Sequence, residues 1–366
     1  MQLLTLETDN FRNTGGKIEL SDGLNFLFGK NGQGKTNWLE AIAILATTRS
    51  FRTARLGETI RFDEETAVIA GDVKISGEIA RVLRALIQER VKQFAVNGKR
   101  ESLQRYLGNL HAVAFTADEL EVVRGVPEYR RRFLDDAITA VHPPYSATVS
   151  EYSRVLKQKN ALLQNARDRE FSIEKTAELL EPWNEQVVTL STKTHRSRLR
   201  IVERLNETLE KRLFGREEIN IRYASSLEGK GEMSDYEGLI RERLKLRIQT
   251  ETIAGRALIG AHRDDLEIRF DGRDLRKYGS SGQQRSAFLL LALANLAVYN
   301  ATRDEYPLFL IDDIDSELDY ERVGKLLEFL EGKTQTIVTT SKENIVENFG
   351  RSAKVFEVVG GAAKPR

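Results

Sequence analysis

Residues 29–36 read Gly29-Lys30-Asn31-Gly32-Gln33-Gly34-Lys35-Thr36, which has the spacing of a phosphate-binding loop: glycine, four residues, then Gly-Lys-Thr. An apolar run, Leu24-Asn25-Phe26-Leu27-Phe28, precedes it. Behind it, Asn37-Trp38-Leu39-Glu40-Ala41-Ile42-Ala43-Ile44-Leu45 sets its apolar residues at helical spacing. Strand, loop and helix in this order suit the chemistry. Glycines let successive backbone N–H groups turn inward, and the partial positive charge of the helix N-terminus adds to them, so the loop holds phosphates. Lys35 is then expected to reach the β and γ phosphates of a nucleotide, and the Thr36 hydroxyl to take one position on a magnesium ion. The alternative is a glycine-rich βα turn that binds nothing; the full eight-residue match in this context favours a nucleotide.

Around this loop the chain is long enough for about two domains. Its 366 residues are 40% hydrophobic and 30% charged, a globular composition. Basic and acidic side chains balance at 56 against 55, so any affinity for nucleic acid must come from local patches. There is no cysteine, which excludes disulfides, thiolate metal sites and cysteine nucleophiles and is compatible with a reducing cytoplasm. Met1 to Asp9 lacks the basic and apolar regions of a signal peptide and reads as a first strand. The longest apolar run, Ala287 to Tyr299, is broken by Asn295 and falls short of the ~20 residues a membrane span takes. It reads as a buried helix.

Between Gly57 and Val96, short apolar runs with a turn signal at Asn97-Gly98 predict an antiparallel sheet. A strand follows at Leu110 to Phe115. Past Pro143-Pro144, from Tyr145 to about Gly215, glycine nearly vanishes and apolar residues fall three or four apart. Leu199, Val202, Leu205, Leu209 and Leu213 form such a stripe, with Gly215 as a helix stop. A strand at Ile219 to Tyr223, a helix from about Tyr236 to Gln249 and a strand at Leu266 to Phe270 turning at Asp271-Gly272 lead back to β-rich sequence. The tail Gly360-Gly361-Ala362-Ala363 reads as disordered.

Two further motifs carry chemistry. Phe309-Leu310-Ile311-Asp312-Asp313 is an apolar strand ending in two carboxylates: Asp312 is placed to bind magnesium with Thr36, and Asp313 to orient a water for attack on the γ phosphate. Gly279-Ser280-Ser281-Gly282-Gln283-Gln284-Arg285 opens the apolar helix. Such a turn offers a hydroxyl and free N–H groups to a phosphate, and also makes a well-capped helix start.

Phosphate loop, insertion, Ser-x-Gly-Gln turn, then Leu-Ile-Asp-Asp with Ser316-Glu317-Leu318-Asp319 is the motif order of ATPases with an ABC-type head, including SMC proteins. Within them the chain resembles the RecF family of bacterial recombination mediators. The resemblance rests on Asn10-Phe11-Arg12, Ser50-Phe51-Arg52, Gly125-Val126-Pro127 with Arg131-Arg132-Phe133-Leu134-Asp135, and His262-Arg263-Asp264-Asp265-Leu266, all in order over nearly the whole chain. It implies an α/β fold: an ABC/SMC-type ATPase head with a mixed sheet and an antiparallel β-subdomain (residues 1–135 and 258–366), plus a helical lobe or arm (136–257).

It also implies a slow, DNA-stimulated ATPase that dimerises on ATP and binds single- and double-stranded DNA without sequence preference, at gaps and junctions. There it would help load RecA together with RecR and RecO, in the cytoplasm and away from membranes. Carried onto this sequence, Gly29, Lys30, Asn31, Gly32, Gln33, Gly34, Lys35 and Thr36 hold ATP, and Thr36 and Asp312 hold Mg2+. Asp313 and Lys35 are catalytic, and Arg12 touches the nucleotide. Ser280, Gly282 and Gln283 meet the nucleotide of the other subunit, while Ser316 to Asp319 line the dimer seam.

Departures from the broader ABC pattern are Ser281 at the first signature glycine, Thr340 at the switch-histidine position, Asp313 where glutamate is usual, and no glutamine-loop counterpart around Phe115 to Leu120. An ABC transporter's ATPase subunit would share the three motifs without the helical insertion, a small-molecule kinase would share only the loop, and SMC proteins need longer heptad arms than this chain has room for. Candidate DNA-phosphate contacts are Arg49, Arg52 and Arg55, Arg130 to Arg132, and Lys193, Arg196, Arg198 and Arg200.

Overall fold

The computed structural model describes residues 1–75, 79–210 and 218–366. They form two compact units, Met1–Glu121 with Ser280–Arg366, and Val122–Gly279.

The first unit contains two sheets. In the six-stranded sheet the order is Ala362–Pro365, Lys354–Val359, Leu24–Phe28, Thr336–Thr340, Leu308–Ile311, Ala112–Phe115. All pairs are parallel except the terminal hairpin. Central parallel strands are covered on both faces, so they read as continuous runs rather than alternating ones: every residue of Leu308–Ile311 and of Thr336–Thr340 is buried. The seven-stranded sheet is antiparallel, built on Thr14–Glu19, Thr5–Phe11, Thr66–Ile75, Ile79–Gln88, Lys92–Val96 and Lys99–Arg100, with Gln2–Leu3 also paired to Thr66–Ile75. Asn97 and Gly98, both at positive φ, make its last turn.

Helix Lys35–Thr47 packs on strands of both sheets, and its residues Trp38 to Ala46 are all buried. A helix apolar on every side belongs between two layers, which is why its amphipathic character is weak. Helix Ser281–Arg303 is likewise buried from Ser286 to Leu296. Among the described residues, no helix is long and apolar enough to cross a membrane.

The carboxyl ends of Leu24–Phe28, Thr336–Thr340 and Leu308–Ile311 lie side by side, the second between the other two. Parallel strands thus gather the loops at 29–36, 312–316 and 341–342 along one edge. One expectation fails here: residues 360–363 are not disordered. Val359 to Ala362 form the tight turn of a hairpin, because backbone groups of Gly360 and Gly361 find partners that composition does not reveal.

The second unit joins helices Pro127–Val141, Tyr145–Asp168, Ile173–Leu209, Tyr236–Leu246 and Ile248–Ala254 to a three-stranded antiparallel sheet of Ile219–Ala224, Asp265–Phe270 and Arg273–Asp274. Of the stripe read from the sequence, Val202, Leu205 and Leu209 are buried and Leu199 is exposed. Leu213 and Gly215 lie outside the described residues.

Candidate nucleotide site

Gly34 stands at the N-cap of Lys35–Thr47 with φ 103°. A Cβ there would lie 2.7 Å from Asn13 Oδ1, and one on Gly29 would lie 2.5 Å from Val358 O. Glycine is therefore required at Gly29 by the approach of a backbone carbonyl, and at Gly34 by backbone conformation. Lys35 Nζ donates to Gly29 O at 2.7 Å and to Lys30 O at 3.0 Å, so the ammonium closes the loop on itself. Burial lowers the Lys35 pKa, against the pull of Asp313, Asp312 and Asp315.

Thr36 and Asp312, 276 positions apart, are in direct contact: Thr36 Oγ1 donates to the Asp312 carboxylate at 2.9 and 3.1 Å. Thr339 Oγ1 donates to the same carboxylate at 2.7 Å and accepts from Asp313 N at 2.7 Å. Burial pushes the Asp312 pKa up, while the two threonine hydroxyls and Arg52 oppose the shift. A hydroxyl and a carboxylate, both hard oxygen donors, fit magnesium, which binds through one or two protein oxygens and keeps water and phosphate for the rest. Among the described residues there is no group of three or more His, Cys, Asp or Glu side chains that could hold a metal ion.

Asp313 sits in the left-handed region at φ 48° and accepts from Ser316 Oγ at 2.7 Å. Arg12, also left-handed, places its guanidinium on Glu40 with Nε and Nη2 at 3.0 and 2.8 Å. Glu40, fully buried, also accepts from Ser50 Oγ. Ser280 caps its helix in a box with Gln283: Ser280 N donates to Gln283 Oε1 at 2.9 Å, and Gln283 N to Ser280 Oγ at 3.3 Å. Ser280 and Gly282 are exposed, and a Cβ on Gly282 would meet nothing within 4 Å. The structure thus brings Lys35, Thr36, Asp312 and Asp313 together. It engages Arg12 with Glu40 and leaves the Ser280–Gln283 turn open on the surface.

Sequence reading missed three residues of this region. Glu40 was detectable as a lone acid in an apolar helix. Asp315, the next acid after Asp313, accepts from Thr340 Oγ1 at 2.7 Å and Ser341 Oγ at 3.3 Å, so the hydroxyl at the switch position is buried and committed. Thr339 gave no signal, being one of several strand threonines.

Several candidate DNA contacts are taken up internally. Arg130 is 3% exposed and bonds the Asp265 carboxylate with Nε at 2.6 Å and Nη2 at 2.9 Å. Arg198, 5% exposed, holds Asp135 at 2.9 and 2.8 Å. Arg131 donates to Asp264 O at 2.8 Å. The sequence showed their charge but not their partners, which lie 63 to 135 positions away. Arg49, Arg55, Lys193, Arg196 and Arg200 are exposed.

The profile of the RecF/RecN/SMC N-terminal domain family matches residues 2–364. The DNA replication and repair protein RecF of Halothermothrix orenii is 36% identical over 362 residues, 96% of each chain. That of a Staphylococcus epidermidis strain is 35% identical over 376 residues, 99% of each chain. Among solved structures, the recombination mediator RecF with ATPrS superposes with TM-score 0.89 at 30% identity, covering 100% of this chain and 98% of that one. RecF with ATP gives 0.88 at 29%, covering 100% and 99%. An SMC head bound to a winged-helix domain of ScpA gives 0.55 at 16%, covering 100% and 98%, a likeness of fold alone. The ABC/SMC-type head read from the sequence is the observed fold.

Proposed function

The chain belongs to the RecF family of DNA replication and repair proteins, and from that premise we propose that it is a slow, DNA-stimulated ATPase that dimerises on ATP. The dimer binds DNA at gaps and single-strand to double-strand junctions and, in the cytoplasm with RecR and RecO, assists RecA loading. The observation that carries the nucleotide half of this reading is the contact between Thr36 and Asp312, which joins the phosphate loop to the acidic strand end.

In this reading, ATP with magnesium supplies a triphosphate whose cleavage limits the life of the dimer. The loop's N–H groups and Lys35 hold the phosphates, and Thr36 and Asp312 hold the ion. Asp313 orients the attacking water and accepts its proton, while Asp312 stays committed to the ion. Ser280 and Gly282, exposed at a helix N-terminus, and Gln283 beside them complete the site of a second copy. DNA affinity rests on exposed cations, with Lys193, Arg196 and Arg200 along one helix the leading candidates.

The test is DNA binding measured against salt, with and without ATP. The logarithm of affinity should fall linearly with the logarithm of salt, ATP should strengthen binding, and removing one true contact should lower the slope by about one. An affinity indifferent to salt and to ATP contradicts the proposal.

A further inference from the structure

The last two strands of the chain close onto the phosphate loop. Their turn consists of Gly360 and Gly361, at φ 55° and 89°. Gly361 N–H donates to Gln33 O at 2.8 Å, and Gly360 N–H donates to Gln33 Oε1 at 2.7 Å. The indole of Trp38, fully buried three residues past Lys35, donates to Gly361 O at 2.9 Å. A Cβ on Gly361 would lie 1.8 Å from Asn13 O, so this position has room for glycine only. The hairpin is also anchored at its open end, where the Arg366 guanidinium lies 5.1 Å over the Phe28 ring and pairs with Glu343.

The contact at Gln33 O acts on the loop's own chemistry. A trans peptide is planar, so its C=O and N–H point in opposite directions. With the Gln33 carbonyl held by the hairpin, the N–H of Gly34 in the same peptide is turned away from the hairpin. We propose that the Gly360–Gly361 tip is a positioning element of the nucleotide site: it fixes the Gln33–Gly34 peptide with its N–H facing the phosphates before nucleotide arrives, and so sets nucleotide affinity. A loop ordered in advance loses less entropy on binding than one ordered by its ligand. This inference rests on the nucleotide reading of residues 29–36 and extends that site to the far end of the sequence.

The experiment is calorimetric titration of ADP into the full chain and into Gly361→Val, with melting curves of both. Losing two or three hydrogen bonds should weaken ADP binding by about tenfold or more. In turnover the loss should fall on KM more than on kcat. A wild type that does not bind ADP overturns the nucleotide reading and this inference with it. Wild-type binding together with equal binding by a folded Gly361→Val overturns this inference alone. Amide exchange in the wild type decides the matter if the variant does not fold. ADP should slow exchange at 359–362 together with 29–36, and protection confined to 29–36 refutes the positioning role.

Discussion

Replacing Arg198 with alanine should cost the second unit about 4 kcal/mol, because it leaves the Asp135 carboxylate inside the protein without its charged partner. The guanidinium, 5% exposed, bonds both oxygens of Asp135 and donates from Nη1 to Ala261 O at 2.8 Å. Without it, Asp135 keeps the Tyr145 hydroxyl at 2.8 Å as a donor, and the Ala261 carbonyl loses its charged one. Breaking a buried pair from one side costs about 3–5 kcal/mol, and the Ala261 carbonyl, which keeps the Asp264 N–H at 3.4 Å, adds little to that. Burial alone would lower the Arg198 pKa, yet Asp135 raises it well above the ordinary value, which shows how closely the two charges depend on each other. The double variant Arg198→Met with Asp135→Leu removes both charges and should recover part of the loss, the Tyr145 hydroxyl giving up Asp135 as its acceptor. Trp183, packed against the core of this unit, reports its urea unfolding, whereas Trp38 reports the first unit. Arg196→Ala and Arg200→Ala, on exposed positions of the same helix, should change stability by less than about 0.5 kcal/mol. A single variant losing under about 1 kcal/mol, or a double variant as unstable as the single, would refute the buried-pair reasoning.

Two further predictions concern pH and chemistry. His111 and His262 are both held at about 4 by burial, below the ordinary value of 6.5. Between those values the unfolded chain takes up protons that the folded chain refuses, so stability falls as pH drops from 6.5 towards 4, by about 2 kcal/mol per histidine at pH 5. Urea titrations at pH 7 and 5 measure this, and His262→Gln should remove about half of the difference; equal stability of the wild type at both pH values rejects it. At the candidate nucleotide site, Asp313→Asn keeps a residue type tolerant of left-handed backbone and should lower ATP hydrolysis by about 10²–10⁴-fold while leaving ATP binding in place. Asp312→Asn should instead weaken nucleotide binding with magnesium more than without it. Phosphate release and nucleotide titrations separate the two, and unchanged hydrolysis in Asp313→Asn means another residue positions the water.

What could be read from the sequence was local or repeated. The strand, loop and helix around Gly29 to Thr36 are contiguous, so spacing alone revealed them, and the buried helix after Ser281 followed from the longest apolar run in the chain, Ala287 to Tyr299. The fate of a charge was not legible in this way. Arg130 and Arg198 look like their exposed neighbours, and only the fold supplies Asp265 and Asp135. Gly360 and Gly361 misled for a related reason: a segment without apolar side chains looks unable to order itself, yet its order comes from backbone N–H groups bonded to Gln33. Thr339 and Asp315 were invisible because their role comes from strand order, which sets Thr336–Thr340 between the phosphate-loop strand and the acidic one.

The central claim, one nucleotide held between two copies, is tested most directly by sizing the protein with and without ATP and magnesium, beside Ser280→Arg and Lys35→Met. The account predicts that ATP turns the wild type from monomer to dimer. Ser280→Arg should bind ATP and stay monomeric, and Lys35→Met should do neither. A Ser280→Arg protein that dimerises on ATP as the wild type does would contradict the composite site.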